Sequence, residues 1–236
     1  MLTLTAEQVF LPSQFEATLR DKLARQVPFA AATALTQVAK VVREEEVRSM
    51  QAVFDRPTPY TLNALQVVPA TKASMESQVR LKPAVDGRHY LPVEVRGGSR
   101  PRKGEERWLG FRLPYAGELE AFVPGPGATL DQYGNWSRGQ RNRVFSDLQA
   151  QRDPSANAVR KGTRRAAYFV PPPGSGLRAG VWRRQGRSIS LVLVFLAGTP
   201  NYSRRWPFYE IAEQTVAERI SDVFADRLAA ALGTAR

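Results

Sequence analysis

The sequence predicts an α+β fold: a long N-terminal helix, a central mostly antiparallel β-sheet or sandwich, and a C-terminal amphipathic helix. Three observations lead there. Ala and Val recur at helical spacing through "PFAAATALTQVAKVVREEEVRSMQAVF" (28–54). Short alternating or apolar runs, cut by Gly and Pro, fill the middle of the chain. Near the end, Phe208, Ala212, Val216, Ile220, Phe224 and Leu228 fall on one helical face. The expected organisation is one α+β domain over 1–236. It has N-terminal helices in 1–56, a β-rich basic section in 57–206 with a short helix near 138–150, and the last helix in 207–232.

Ser13 and Glu16 form an S-x-x-E capping box, and Phe15, Leu19 and Leu23 follow on one face. Pro28 is poor inside a helix and good at its first position. The pattern therefore reads as two helices, about 13–26 and about 28–54, or as one kinked helix. Ala31, Leu35, Val38, Val42 and Val53 give the second stretch its apolar stripe, and Pro57 and Pro59 end it. Met75, Val79 and Leu81 alternate with Glu76, Arg80 and Lys82, which predicts a half-buried strand. Leu91, Val93 and Val95 alternate in the same way with Pro92, Glu94 and Arg96. "RGGSRPRKGEE" (96–106) has no large apolar side chain and reads as a mobile loop. "RWLGFRLPY" and "ELEAFVPG" predict two more strands.

Tyr133-Gly134-Asn135 marks a turn, and Ser137 with Gln140 is a second capping box, opening a helix of about 138–150. "QRDPSANAVRKGTRR" is a polar, basic loop, and "AAYFV" (166–170) a strand halted by Pro171 to Pro173. "GVWRRQGRSISLVLVFLA" predicts a hairpin turning near Gln185-Gly186. Its second strand is apolar on both faces and should be the most buried of the sheet. Glu210 and Glu213 stand in the first turn of the last helix, where acidic groups suit the helix dipole.

Charge is unevenly placed. The chain carries 34 Lys and Arg against 22 Asp and Glu, a net charge of +12. Residues 1–60 are balanced and 207–236 are slightly acidic, so the middle section 61–206 holds 24 basic and 10 acidic residues. Such a field suggests a polyanionic neighbour, either nucleic acid or an acidic protein face. There is no Cys, which excludes disulfides and thiolate metal sites, and one His, which excludes a clustered imidazole site within one chain. "MLTLTAEQVF" lacks the basic start and apolar core of a signal peptide. The longest apolar run, Leu191 to Ala197, falls far short of the roughly 20 residues that span a bilayer. Production in the cytoplasm, without a membrane association, is the expectation.

The chemistry-bearing residues are sparse. His89, in "DGRHYLP", would need a nucleophile and a carboxylate around it, and no Ser sits in a G-x-S-x-G setting. Glu44, Glu45 and Glu46 are consecutive in a helix, about 100° apart, and cannot converge on one ion, so a solvated face is expected. "GPGAT" and "GSGLRAG" lack the Lys-Ser/Thr ending of a phosphate loop and read as flexible turns. No catalytic, metal-binding or cofactor-binding residue is expected.

Two segments carry a resemblance. One is "VPFAAATALTQVAKVVREE"; the other is "VWRRQGRSISLVLVFLAGTPNYSRRWPFYEIAEQTVAERI", an apolar strand, an aromatic-proline corner and a final helix. In these the chain resembles the minor tail protein Z group of tailed bacteriophages, the tail-completion proteins of the head–tail junction. The Trp206-Pro207-Phe208 corner is also similar to the Pro-Phe corner of the wider head–tail joining proteins. Together the two segments cover about a quarter of the chain. The resemblance implies a structural virion protein, not an enzyme, that completes the tail end or connects tail to head at the neck. It implies other junction or tail proteins as partners, contact with phage DNA, and a homo-oligomeric ring on the order of six or twelve copies with heterologous contacts. Its place would be the virion tail or neck, after production in the host cytoplasm. The alternative from a different class is a non-enzymatic nucleic-acid-binding protein using the basic 61–206 section.

Candidate contacts to a partner or to DNA are Arg96, Arg100, Arg102, Lys103 and Arg107 in one basic loop, and Arg160, Lys161, Arg164 and Arg165 in the other. Neither loop holds apolar side chains able to build a core. Replacing Arg100, Arg102, Arg164 and Arg165 by Ser is therefore expected to leave the melting temperature almost unchanged. Arg204, Arg205, Trp206, Pro207 and Phe208 form a candidate structural corner before the last helix.

Overall fold

The structure, a computed structural model, describes residues 12–83, 90–113, 119–158 and 167–234; of residues 12–15, 18 and 19 only the backbone is described. The fold is α+β, with a long N-terminal helix, antiparallel sheets and a C-terminal helix. The chain divides into two compact units, Met1–Ala84 with Trp206–Arg236, and Val85–Arg205. Charge follows this division. The first unit carries 13 basic and 13 acidic residues, whereas the second carries 21 and 9, so the whole excess of +12 lies in the second.

The first unit is built on α1 (Pro12–Val53), a single helix of 42 residues, about 63 Å long at 1.5 Å per residue. It runs on through Pro28, which removes one ladder hydrogen bond but does not end it. The side chains of Ser13, Phe15 and Leu19 lie outside the described residues, so the first capping box has no structural account. Ala30, Ala34, Val38, Val42 and Met50 are buried along one side, and Ala31 and Leu35 only partly. Small Ala side chains let a second helix approach closely, and α1 packs against the last helix of the chain, α6 (Phe208–Thr234). Burial on α6 centres on Thr215 and Ala231, with Phe208, Ile211, Ala212, Ile220, Phe224 and Leu228 half-buried. Val216, expected on the inner face, is 41 % exposed, because the packed stripe drifts past it to Thr215.

A short helix α2 (Pro59–Leu62), capped by Thr58, leads into a two-stranded antiparallel sheet of β1 (Leu65–Val68) and β2 (Gln78–Leu81). The sheet is fastened to α1: Arg43 Nε donates to the Leu65 carbonyl at 3.3 Å, and Ala70 N to Thr36 Oγ1 at 3.0 Å. Met75, expected inside a strand, precedes β2 and is 44 % exposed.

The second unit corrects two strand expectations. Residues 91–96 form α3 (Leu91–Arg96), with Pro92 in its first turn, Glu94 buried, and Gly97 closing it at φ +73°. The apolar alternation is real, but the fixed φ of Pro and a glycine free to take positive φ suit a helix turn and stop, and the buried pair Leu91 and Glu94 is spaced i, i+3. "RWLGFRLPY" likewise begins inside α4 (Gly104–Arg112), where Leu109 is fully buried and Trp108 Nε1 donates to the Ala150 carbonyl at 2.7 Å. Between them β3 (Gly98–Ser99) pairs antiparallel with β8 (Asn201–Tyr202), so part of the expected mobile loop is sheet.

The main sheet is antiparallel, in the order β4 (Ala121–Pro124), β7 (Ser188–Leu196), β6 (Gly180–Gln185), β5 (Tyr168–Phe169). The β6–β7 hairpin turns after Gln185, as its sequence predicts, with Gly186 at φ +61°. β7 is internal and buries Val192 to Phe195. Helix α5 (Arg138–Asp147) is capped by Ser137, but only half of the capping box forms. The Gln140 side chain instead accepts from Thr129 N and Trp136 Nε1 and donates to the Gly127 carbonyl. Leu109, Leu113, Phe122, Val144, Phe145, Tyr168, Val181 and Leu193 belong to one core cluster. "GPGAT" is no flexible turn: Gly125 N and Gly127 N bond the carbonyls of Val192 and Leu191, each at 2.8 Å.

Candidate functional site

The first basic segment holds two kinds of residue. Arg96 and Arg107 are exposed, on α3 and α4, and Lys103 is exposed ahead of α4. Arg100 is buried. Its Nη1 and Nη2 donate to Glu106 Oε2 and Oε1 at 2.8 and 2.5 Å, and Glu106 also accepts from Lys103 N at 2.6 Å and Phe122 N at 3.3 Å. Burial alone would raise the Glu106 carboxyl. The Arg100 guanidinium and the two backbone donors outweigh it and hold the group below the usual carboxylate range. Arg102 donates to the Leu119 carbonyl and, at 3.3 Å, to Glu120. The expectation that this loop only waits for a partner is thus corrected for Arg100 and Arg102. A bidentate carboxylate makes burial of an arginine tolerable, and composition does not reveal that the carboxylate is there. Arg160, Lys161, Arg164 and Arg165, and also His89, lie outside the described residues.

The division between the two units falls after Arg205, within the segment Arg204–Phe208. Within the second unit, Arg205 Nε and Nη2 each donate to the buried Glu94 carboxylate at 2.8 Å, and Arg205 N to the Glu94 carbonyl at 2.9 Å. Arg204 is exposed. Within the first unit, Trp206 is 1 % exposed and meets Phe54 and Phe208 edge-on, at 6.2 and 5.1 Å between ring centres; Pro207 is half-buried.

The acidic run 44–46 also departs from expectation. Glu44 is exposed and Glu45 pairs with Arg48 at 2.6 Å, but Glu46 is fully buried. Neither Glu46 oxygen nor Trp206 Nε1 completes a hydrogen bond. Burial pushes the Glu46 carboxyl up to about 8; the nearby Trp206 indole opposes that rise and the Glu210 charge adds to it. At neutral pH the group is mostly protonated, which lowers the penalty of burying it.

A groove of about 580 Å³ lies in the basic unit, lined by Arg143, Arg183, Arg184, Asn142, Ser146 and Asp147 among others. Helix α5 places Asn142, Arg143, Ser146 and Asp147 on one face, and β6 supplies the two adjacent arginines. Arg184 stacks on Phe169 with its guanidinium 3.7 Å from the ring centre. The Asp147 carboxylate accepts from Tyr168 N at 3.0 Å. These three arginines were not predicted as contacts; the signal was "RNR" on a helix and "WRR" on a strand, which only the fold brings to one groove.

Among the described residues, no group of three or more His, Cys, Asp or Glu is placed to hold a metal ion, and no helix is long and apolar enough to cross a membrane. No protein family, curated protein or solved structure matches the chain.

Proposed function

We propose that the chain is a structural protein of a tailed-bacteriophage particle, completing the tail end or connecting tail to head at the neck. The observation that carries this reading is the sequence of pieces at 181–220: an apolar strand, an aromatic-proline corner and an acidic-fronted helix. Exposed apolar side chains on α1 support it, since Leu23, Val27 and Phe29 are 36, 37 and 43 % exposed. Charge segregation supports it too. A neutral unit and a unit of +12 give one chain two units of unlike surface charge, and heterologous contacts join unlike patches. Negative-stain microscopy of the purified protein should show rings of like subunits. A protein that stays monomeric at high concentration, and is missing from particles when its product is traced by mass spectrometry, overturns the reading.

A second reading is a nucleic-acid-binding protein, favoured by the same confinement of charge to residues 85–205. Phosphate-driven binding weakens steeply between 50 and 200 mM salt. No binding to DNA at the lower salt removes it.

A further inference from the structure

Helix α6 is too short to cover α1. Trp206, just ahead of α6, meets Phe54, just past the end of α1, so α6 runs back along α1 from that end. Its 27 residues span about 40 Å, against about 63 Å for the 42 of α1, and reach back no farther than about residue 27. Burial agrees: among the described side chains of α1, Ala30 is the first that is buried. Ahead of it the helix continues as a bare arm, in which Glu16, Ala17 and all of residues 20–25 are exposed. Leu23 and Val27, 36 and 37 % exposed, stand on one face of that arm at i, i+4.

Charge selects the surface that covers this face. Arg20 and Lys22 border the apolar pair, and residues 20–27 hold three basic side chains against Asp21 alone. The +12 unit of a neighbouring copy would repel such an arm. Among the described helices α6 alone carries net negative charge, five acidic side chains against two basic. Three of the five, Glu218, Asp222 and Asp226, are exposed at i, i+4, i+8. They run beside a second exposed row, Ala225, Ala229 and Leu232. The alanines let another helix approach closely, and Leu232, 38 % exposed, offers it an apolar contact. We infer that the arm Pro12–Val27 docks on the Ala225–Leu232 face of α6 in a second copy of the chain, with Leu23 and Val27 on the alanine row and the cations of the arm against Asp222 and Asp226. Arm and face are unlike patches. One subunit therefore gives its arm to one neighbour and receives the arm of another, the heterologous contact that a closed ring requires. The inference rests on the reading of the chain as a ring-forming structural protein and names the contact that builds the ring.

The chain has no cysteine, so introduced thiols report one contact at a time. Two full-length single-cysteine chains, Leu23→Cys and Ala229→Cys, are mixed with one of them isotope-labelled, then oxidised. The mixed disulfide joining positions 23 and 229 should form roughly tenfold more than that between Leu23→Cys and Tyr60→Cys chains, since thiols cross-link only at short range and matched direction. Tyr60 is 58 % exposed and belongs to neither row. In sedimentation velocity, Leu23→Asp/Val27→Asp, at exposed positions, should keep the parent's melting temperature and associate roughly tenfold more weakly. Arg20→Glu/Lys22→Glu chains should also associate weakly and recover when mixed with Asp222→Lys/Asp226→Lys chains. Rings in the parent without the 23–229 disulfide, and without loss in the Asp variant, overturn the docking and leave the ring reading standing. A disulfide mainly between two copies of Leu23→Cys assigns the arms to each other and overturns it as well. A parent that stays monomeric at high concentration overturns the inference; the junction reading falls with it only when the chain is also missing from particles.

Discussion

Arg100 and Glu106 form a two-pronged ion pair, 2.8 and 2.5 Å, in which the carboxylate is fully buried and only 6 % of the arginine reaches solvent. The same carboxylate takes the backbone N–H groups of Lys103 and Phe122, so one side chain joins the 100–103 segment, α4 and β4. Removing either partner strands a buried charge. Arg100→Ala is expected to lower stability by about 3–5 kcal/mol in urea denaturation. Arg96→Ser and Arg107→Ser, both exposed, should stay within about 0.5 kcal/mol of the parent. A neutral outcome for Arg100→Ala would return the residue to the class of waiting surface contacts.

Glu46 makes stability fall with pH. Its carboxyl is raised to about 8 in the folded chain by burial, while in the unfolded chain it titrates near 4.5. Between those values the folded state holds a proton that the unfolded state has released, so unfolding becomes easier as pH rises through that window. The melting temperature should drop from pH 5 to pH 8. Glu46→Gln, which keeps the shape without the charge, should flatten that drop and melt higher than the parent at pH 8. Parallel pH profiles for parent and variant would refute the assignment.

Trp206 closes the apolar end of the first unit against Phe54 and Phe208. Trp206→Ala should cost about 3–5 kcal/mol through the cavity it leaves. Trp206→Phe should be much milder, because it keeps an aromatic edge and removes an indole N–H that lacks a hydrogen-bond partner. Equal losses in the two variants would mean that the N–H matters more than the packing.

Gly180 sits where β6 approaches β7 so closely that an added Cβ would lie 2.0 Å from the Leu193 carbonyl oxygen. Gly180→Ala therefore forces the central strand pair apart. The expected result is a loss of cooperative unfolding or of soluble protein, whereas Gly186→Asn, in the hairpin turn with open space around it and a positive φ that Asn tolerates, should fold.

Much of the architecture was legible because local signals and tertiary packing agree. The Ala-rich helix, the Ser137-capped helix, the β6–β7 hairpin and the last helix each rest on a pattern that extends over several residues, and a buried β7 follows from a run apolar on both faces. Two short segments misled for one reason. At 91–96 and 104–112 apolar residues are few, and an alternating reading competes with an i, i+3 reading over barely two turns. Pro92 with Gly97, and Glu106 three residues after Lys103, were the helix signals.

By itself the sequence determined which stretches could be helix or strand, the placement of the positive charge along the chain, and the absence of cysteine chemistry, since each depends only on residue identity and spacing. The fates of individual charged residues were decided by tertiary structure. Arg100 and Arg107 are alike in the sequence, yet one meets a buried carboxylate and the other water. Glu44 and Glu46 are two residues apart, and only Glu46 falls on the packed side of α1. Arg143 and Arg183 are forty residues apart and line one groove. Burial and partnership are relations between distant segments, and the energy of a charge depends on those relations more than on its neighbours in the chain.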